Sequence, residues 1–362
     1  MRYGVFSRAG ERPRVGLAVG DGVLDLSGLP LEHATDFGAP SLNTFLARGR
    51  AAWLRHDAEL RALLSAEQEL IPGTDVRWHL PFEVADYVDF YSSEHHATNV
   101  GRIFRPDAEP LHPNWRHLPI GYHGRAGTVV VSGTPIRRPS GQLGRGEFGP
   151  SHKLDIEAEV GFVVGTPAPA GRVSTADFAE HVFGVVLVND WSARDIQRWE
   201  TVPLGPFLGK SFATSISPWV VPLTALKHAR VVPPPRDPEP LPYLRESEPW
   251  GLDIELTVRL NGTVVARPPF REMYWTAAQQ LAHLTVNGAS LRTGDLFASG
   301  TVSGPAPDQR GCLLELTWDG RDPLVLDGGE QRTYLADGDE VTISARAGDV
   351  DLGEVTGQIQ KW

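Results

Sequence analysis

Apolar and polar positions along this chain alternate in short runs of period two far more often than they recur at helical spacing. Residues 13–29, PRVGLAVGDGVLDLSGL, alternate Val15, Leu17 and Val19, break at Asp21-Gly22, and resume at Leu24 and Leu26. That pattern predicts a β-hairpin. The following stretch, SLNTFLARGRAAWLRHDAELRALLS, changes period: Leu42, Phe45, Leu46, Trp53, Leu60, Leu63 and Leu64 fall on one helical face. Ser41 is a candidate N-cap and Gly49 a weak point, so one or two helices follow the hairpin. Pro72, Gly73 and Pro81 then punctuate the chain and put a domain boundary near 72–82.

Beyond residue 82, β-like runs occur at 127–132, 154–164, 183–188, 217–221, 253–260, 263–266, 313–317 and 340–345. Asn261-Gly262 separates two of them with a type I′ hairpin signal. Residues 231–244 are too rich in proline for sheet or helix and read as an extended surface excursion, while 274–286 has a helical pattern ending near Gly288. The chain is therefore expected to be mainly β, of the α+β class, without the alternating strands and helices of a parallel α/β fold.

One run breaks the rule that core strands are apolar. In HKLDIEAEVGFVVG, residues 152–165, Asp155, Glu157 and Glu159 share one strand face while Ile156, Ala158 and Val160 take the other. Two carboxylates about 5 Å apart at an effective dielectric near 20 repel by roughly 3 kcal/mol. A positive group is expected beside them; a solvated edge strand is the plain alternative.

The totals narrow the function. A net charge of -11 argues against a nucleic-acid or anionic-membrane partner, which would need a basic stripe. The one cysteine, Cys312, excludes an intramolecular disulfide and a multi-cysteine metal site. MRYGVFSRAGERPRVG lacks the apolar centre of a secretory leader, and no run approaches the roughly 18 apolar residues of a membrane helix, so a cytoplasmic chain is expected. Lysine occurs only at 153, 210, 227 and 361, which makes Lys210, within an apolar stretch, conspicuous.

Three further segments place polar groups where a core is expected: DFYSSEHHATNVGRIFRP with Asp89, Tyr91, His95, His96 and Arg105; VNDWSARDIQRWE with Asp190, Arg194 and Gln197; and GKSFATSISPWVV with Lys210 and Thr214. With no HExxH motif and no cysteine cluster, a metal here would be held by carboxylate oxygens, which select Mg²⁺, Ca²⁺ or Mn²⁺ over zinc. Neither a phosphate-binding glycine loop nor a GxSxG nucleophile elbow is present, so hydrolysis would proceed through an activated water.

DFYSSEHHATNVGRIFRP, LPIGYHGRAGTVVVSGTPIRRPSGQ, NDWSARDIQRWETVPLGPFLGKSFATSISPWVVP and LRTGDLFASGTVSGP together resemble the fumarylacetoacetate hydrolase family, and the likeness runs through nearly the whole chain. The resemblance implies a small N-terminal SH3-like barrel with helices over residues 1–80 and a larger mixed β-roll catalytic domain over 81–362, assembled as a homodimer. It implies C–C bond hydrolysis of a β-diketone carrying two carboxylates, the last step of tyrosine catabolism. Asp89, Glu157, Glu159 and Asp190 match the family's divalent-metal ligands for Mg²⁺ or Ca²⁺, and Lys210 and Thr214, with Asp190, match a second cation position. His96 matches the general base and Glu315 the acid that orients it, with Arg194, Gln197 and Lys210 as donors to developing charge. Tyr91, Arg105 and Thr301 match substrate contacts, and Tyr122 lines the same pocket. Thr201 stands where better-known members carry a substrate-contacting tyrosine, and Glu94-His95 where they carry Arg-Gln. Asp155 receives no role. Two other readings stay open: a different β-dicarbonyl or acylpyruvate handled by the same scaffold, and a β-rich ion-binding protein without catalysis.

Overall fold

The computed structural model describes residues 1–66 and 68–362. The N-terminal alternation forms β1 (Tyr3–Ser7), β2 (Arg14–Val19) and β3 (Gly22–Asp25). The hairpin reverses at Gly20-Asp21, one residue earlier than expected: Val19 pairs with Gly22, and Gly20 takes the left-handed φ of 56°. The helical period gives α1 (Asn43–Leu46) and α2 (Arg50–Leu63), split where Gly49 adopts a φ of 81° that a side chain would resist. Leu42 holds the cap position of α1, and Ser41 accepts only a long bond of 3.4 Å from the Asn43 amide. β4 (Arg77–His79) then returns to pair with β1.

After residue 82 come β5 (Asp86–Phe90), α3 (Glu94–Phe104), β6 (Gly121–His123), β7 (Val129–Val131), β8 (Ala158–Val164) and β9 (Val182–Asp190). They are followed by α4 (Arg194–Glu200), β10 (Thr214–Ile216), β11 (Trp219–Pro222), β12 (Glu255–Leu260) and β13 (Thr263–Ala266). The chain closes with α5 (Ala277–Thr285), β14 (Asp295–Ala298), α6 (Leu313–Leu316), β15 (Glu340–Ala347) and β16 (Val350–Gln360).

The main sheet runs β3-β2-β1-β11-β9-β8-β14-β5-β6, with β10 on the end of β9 and β7 beside β10. The class is mainly β with helices, as the sequence pattern implies. No closed barrel forms among the described residues: β1 pairs with β2, β4 and β11, so the N-terminal strands are an open unit continuous with the larger sheet.

β8 and β9 are buried at every position because both faces of the sheet are covered. Their alternate residues feed two cores. Val160, Phe162, Val185 and Leu187 pack towards β12, β15 and α5, whereas Val163, Val186 and Val188 pack with Tyr3, Phe45 and Trp53 of the N-terminal unit. The second sheet, β13-β12-β15-β16, contains the expected hairpin, with Asn261 and Gly262 both left-handed at φ 49° and 83°.

Two expectations are corrected. Residues Leu313–Leu316 form helix α6 where a strand over 313–317 was expected, since a run of five residues is too short to show a period of its own. The strand expected over 154–164 keeps one register against 189–193, but its regular ladder opens at Ile156 and Glu157. There the Asn189 side chain accepts the Glu157 amide at 3.2 Å. The three acids on that run consequently meet different surroundings.

Candidate active site

Four acids converge because neighbouring strands of the main sheet end together. Ala298 of β14 lies opposite both Asp89 of β5 and Gly161 of β8, Tyr122 of β6 lies opposite Asp89, and Thr214 of β10 lies opposite Asp190 of β9. Carboxylate oxygens of Asp89, Glu157, Glu159 and Asp190 all come within 4.8 Å of one another, and all four residues are buried.

Their partners are unequally shared. The Lys210 ammonium donates to Glu157 at 2.6 Å and to Asp190 at 2.7 Å. Asp190 also accepts from the hydroxyls of Thr214 at 2.9 Å and Tyr122 at 3.1 Å. Arg194 reaches Glu157 at 2.7 Å, and its Nη1 donates to Gln197 Oε1 at 3.2 Å. Both oxygens of Glu159, Oδ1 of Asp89 and Nη2 of Arg194 are buried with no hydrogen-bond partner among the described residues.

The electrostatics follow from that sharing. Burial, joined by repulsion from Asp89, Glu157 and Asp190, pushes the Glu159 carboxyl well above the usual range. Asp89 is raised likewise, by burial and then by Asp190. Glu157 goes the other way: burial opposes its ionisation, but Lys210, Arg194 and His96 outweigh it and hold the carboxyl low. Lys210 stays firmly protonated because Asp190 and Glu157 overcome its desolvation. An unsatisfied, all-oxygen set of this kind fits a hard divalent cation, which would take Asp89, Glu157, Glu159 and Asp190 as ligands. A cavity of about 150 Å³, lined by Tyr122, Asp190, Phe207, Lys210 and Thr214 among others, opens against the Asp190 side.

Beside the acids sits a histidine pair. Ser93 caps α3 by accepting the His96 amide, which fixes the first turn that carries His96. His96 Nδ1 lies 2.5 Å from Glu315 Oε2. Glu315 is saturated: Asn99 donates to Oε1 at 2.9 Å, and Ser303 and Cys312 donate to Oε2 at 2.9 and 3.2 Å. Although burial opposes ionisation, these donors and His96 bring the Glu315 carboxyl down to about 2. It is an anion at neutral pH, so Nδ1 is the ring nitrogen that donates to it and Nε2 is the one it leaves for other partners. The thiol of Cys312 is driven up by burial and by Glu315, and serves as a donor.

The remaining expected residues are distributed around these two groups. The Tyr91 ring packs edge-on against His96 at 5.3 Å, and its hydroxyl is raised by burial and by the charges of Glu315 and Glu157. Arg105, at the end of α3, donates to the Pro110 carbonyl at 2.7 Å and has no carboxylate partner among the described residues. Gly101 lets that loop approach, since a Cβ there would lie 2.0 Å from the Pro110 oxygen. Thr301 is buried with its hydroxyl unpartnered among the described residues. Thr201 is not drawn in: its hydroxyl donates to the Gln197 carbonyl of its own helix at 2.6 Å. Glu94 pairs with Arg116, and His95 lies 3.9 Å from Glu272, so neither joins the acids. Sequence reasoning missed Asn99, Ser303 and Cys312, which surround Glu315; the i, i+3 spacing of His96 to Asn99 and of Cys312 to Glu315 was the available signal.

The chain matches two family profiles, "Fumarylacetoacetase N-terminal" over residues 2–83 and "Fumarylacetoacetate (FAA) hydrolase C-terminal" over 86–360. It is 48% identical to the fumarylacetoacetase of Homo sapiens over a 394-residue alignment covering 99% of this chain and 94% of the relative. The Arabidopsis thaliana fumarylacetoacetase is also 48% identical, over 99% of this chain and 94% of its own length. Among solved structures, a fumarylacetoacetate hydrolase from Exiguobacterium antarcticum shares the fold with a TM-score of 0.62 at 18% identity, covering 100% of both chains. A maleylpyruvate hydrolase from Sphingobium sp. SYK-6, in complex with manganese(II) and pyruvate, superposes with a TM-score of 0.59 at 14% identity, over 100% of this chain and 99% of that one.

Proposed function

The chain belongs to the fumarylacetoacetate hydrolase family, and on that premise we propose that it hydrolyses the C–C bond of 4-fumarylacetoacetate to fumarate and acetoacetate, the last step of tyrosine catabolism. The observation that supports this reading is the buried His96–Glu315 pair together with the four-acid cluster, bridged by Arg194, which reaches Glu157 on one side and Asp155, the acceptor that starts the Glu315 helix, on the other.

His96 Nε2 takes a proton from water while Glu315 holds the ring and balances the charge that forms on it. The hydroxide adds to one carbonyl of the diketone; the C–C bond then breaks, its electron pair passes to the enolate of acetoacetate, and the proton held by His96 returns to that carbon. General-base help of this kind contributes about 10²–10⁴-fold. A divalent ion at Asp89, Glu157, Glu159 and Asp190 would supply Lewis acidity to the diketone oxygens. Arg194 Nη2, the Gln197 amide and Lys210 supply donors to the enolate charge, and Arg105 suits a substrate carboxylate. Tyr91, Tyr122 and Thr301 complete the substrate wall, with Thr201 at its edge.

Mg²⁺ or Ca²⁺ is the proposed ion, supported by the all-oxygen ligand set, with Lys210 and Thr214 beside Asp190 framing the second cation position. The division into a 1–80 unit and an 81–362 catalytic domain is supported by every proposed site residue lying beyond residue 86. A homodimer is supported by the exposed apolar run Val202, Leu204, Phe207 and Leu208. A cytoplasmic site of action is supported by the single, buried cysteine. Among the described residues no helix is long and apolar enough to cross a membrane.

The test is incubation with 4-fumarylacetoacetate and Mg²⁺ or Ca²⁺, following the diketone absorbance and identifying products. Fumarate and acetoacetate are expected. Unchanged absorbance overturns the assignment, and other products transfer it to a different β-dicarbonyl. His96→Ala should lose turnover while keeping ion affinity.

A further inference from the structure

Asp155 is fully buried, lies outside the four-acid cluster, and is not needed by the reaction as written above. Its surroundings are nevertheless as crowded as those of Glu315, with four donors on its two oxygens. Oδ1 accepts the backbone amides of Ile156 and Leu313, both at 2.7 Å. Oδ2 accepts the Leu314 amide at 3.0 Å and Arg194 Nε at 2.8 Å. Four donors leave it no room to bind an ion, and they come from three separate parts of the chain.

Those parts are the ones whose relative position matters. Leu313 and Leu314 open α6, the four-residue helix that carries Glu315, and the cap residue Cys312 makes no side-chain bond to them. Asp155 therefore supplies from a distant strand the acceptor that a local cap would give. Arg194 opens α4, and its main-chain amide is held by the Lys153 carbonyl at 2.9 Å. With Nε fixed by Asp155 and Nη1 by Glu157, the planar guanidinium has one orientation, and Nη2 is the donor left over.

We infer that Asp155 is a positioning residue that sets the distance between the base side of the site, through Glu315 and His96, and the charge-accepting side, through Arg194. It never touches substrate. A carboxylate is rigid, and its two oxygens hold α6 and Arg194 against one strand, so the proton acceptor and the enolate donor share one frame. The reaction needs both in register: His96 holds the proton taken from water while enolate charge builds on the Arg194 side, and returns it to carbon as that charge is quenched. A displacement of about 1 Å between such groups can cost about 10²-fold in rate.

This inference rests on the proposed hydrolysis, and the experiment separates the two. Wild type, Asp155→Asn, Asp155→Glu, Arg194→Lys and the double variant Asp155→Asn/Arg194→Lys are compared with Mg²⁺ present, well below their unfolding temperatures. An inactive wild type overturns the assigned reaction. With wild type active, Asp155→Asn is expected to lose about 10²-fold in kcat while KM moves less than about threefold. Asp155→Glu keeps the buried charge paired, so it remains a usable probe should the Asn variant fail to fold. It is expected to lose at least about tenfold in kcat because the added methylene shifts the two sides relative to each other. Where the Asn variant folds, the Asn and Lys changes should be markedly less than additive in kcat, since both break the same bond. A folded Asp155 variant with wild-type kcat, or fully additive losses in the cycle, would show the residue to be structural only.

Discussion

Buried carboxylates in this protein come in two kinds a few residues apart. Asp155 and Glu315 are each surrounded by four donors, whereas Glu159 has none and Asp89 leaves one oxygen bare among the described residues. Burial opposes ionisation of Asp89, Glu159 and Glu315. The donors reverse that for Glu315, and their lack lets it stand for Asp89 and Glu159. A saturated acid is part of the folded framework; a bare one destabilises the fold until a cation arrives. Burial therefore says little about the role of an acid here, and the count of donors says a great deal.

The largest expected effect breaks the saturated side. Glu315→Gln removes an anion that several donors point at, and breaking a buried charge arrangement costs about 3–5 kcal/mol. The same figure follows from pH. A carboxyl moved from 4.5 when unfolded to about 2 when folded stabilises the protein fully above 4.5, by about 3 kcal/mol. That stabilisation fades as pH falls from 4.5 towards about 2. Denaturant unfolding at a series of pH values should show this acid loss in wild type and a flatter limb in Glu315→Gln. Equal slopes in the two proteins would mean that Glu315 is not held as an anion.

The next effect fills the bare side. A divalent ion at about one hundred times its Kd should stabilise wild type by about 2.7 kcal/mol, reversibly on chelation, and Glu159→Gln should lose most of that gain. The ion-free variant, by contrast, should be more stable than ion-free wild type by about 1–2 kcal/mol, because it removes a buried acid that has no donor. Thermal unfolding with and without chelator reads both. An ion-free Glu159→Gln less stable than wild type would show that the carboxylate has a partner after all, and the contrast between the two kinds of acid would fail.

This contrast also marks where sequence reading stops. The clustered acids were legible because Asp89, Glu157, Glu159 and Asp190 interrupt apolar runs, and four charges inside a core demand an explanation. Family resemblance then supplied roles for His96, Glu315 and Arg194 that spacing alone did not. The position of Asp155 was visible but its purpose was not: its donors are mainly backbone amides, and the Leu313 and Leu314 amides lie far along the chain where no side chain encodes them. The 313–317 run was misread as a strand for the same reason, since the acceptor that starts α6 sits on another element. Asn99 and Ser303 escaped notice because small polar residues are common along the chain and become specific only by surrounding one anion, and Cys312, the one cysteine, had been read only for what it excludes.

The smallest effect carries the comparison from acids to hydroxyls. By resemblance to the family, Thr301 and Thr201 both stand at proposed substrate-contacting positions, yet their hydroxyls differ as Glu159 and Asp155 do. The Thr301 hydroxyl is buried and unpartnered among the described residues, while that of Thr201 is already spent on the Gln197 carbonyl. A bare donor gains a bond when substrate enters; a satisfied one would have to give up a bond to make another. Thr301→Val should therefore raise KM for 4-fumarylacetoacetate about tenfold, equivalent to about 1.4 kcal/mol, without lowering the stability of the free protein. Thr201→Val should leave KM within about twofold. If the Thr201 variant raised KM as much as the Thr301 variant, its hydroxyl would have to leave the helix during binding, and α4 would be a moving part of the site rather than a fixed support for Arg194.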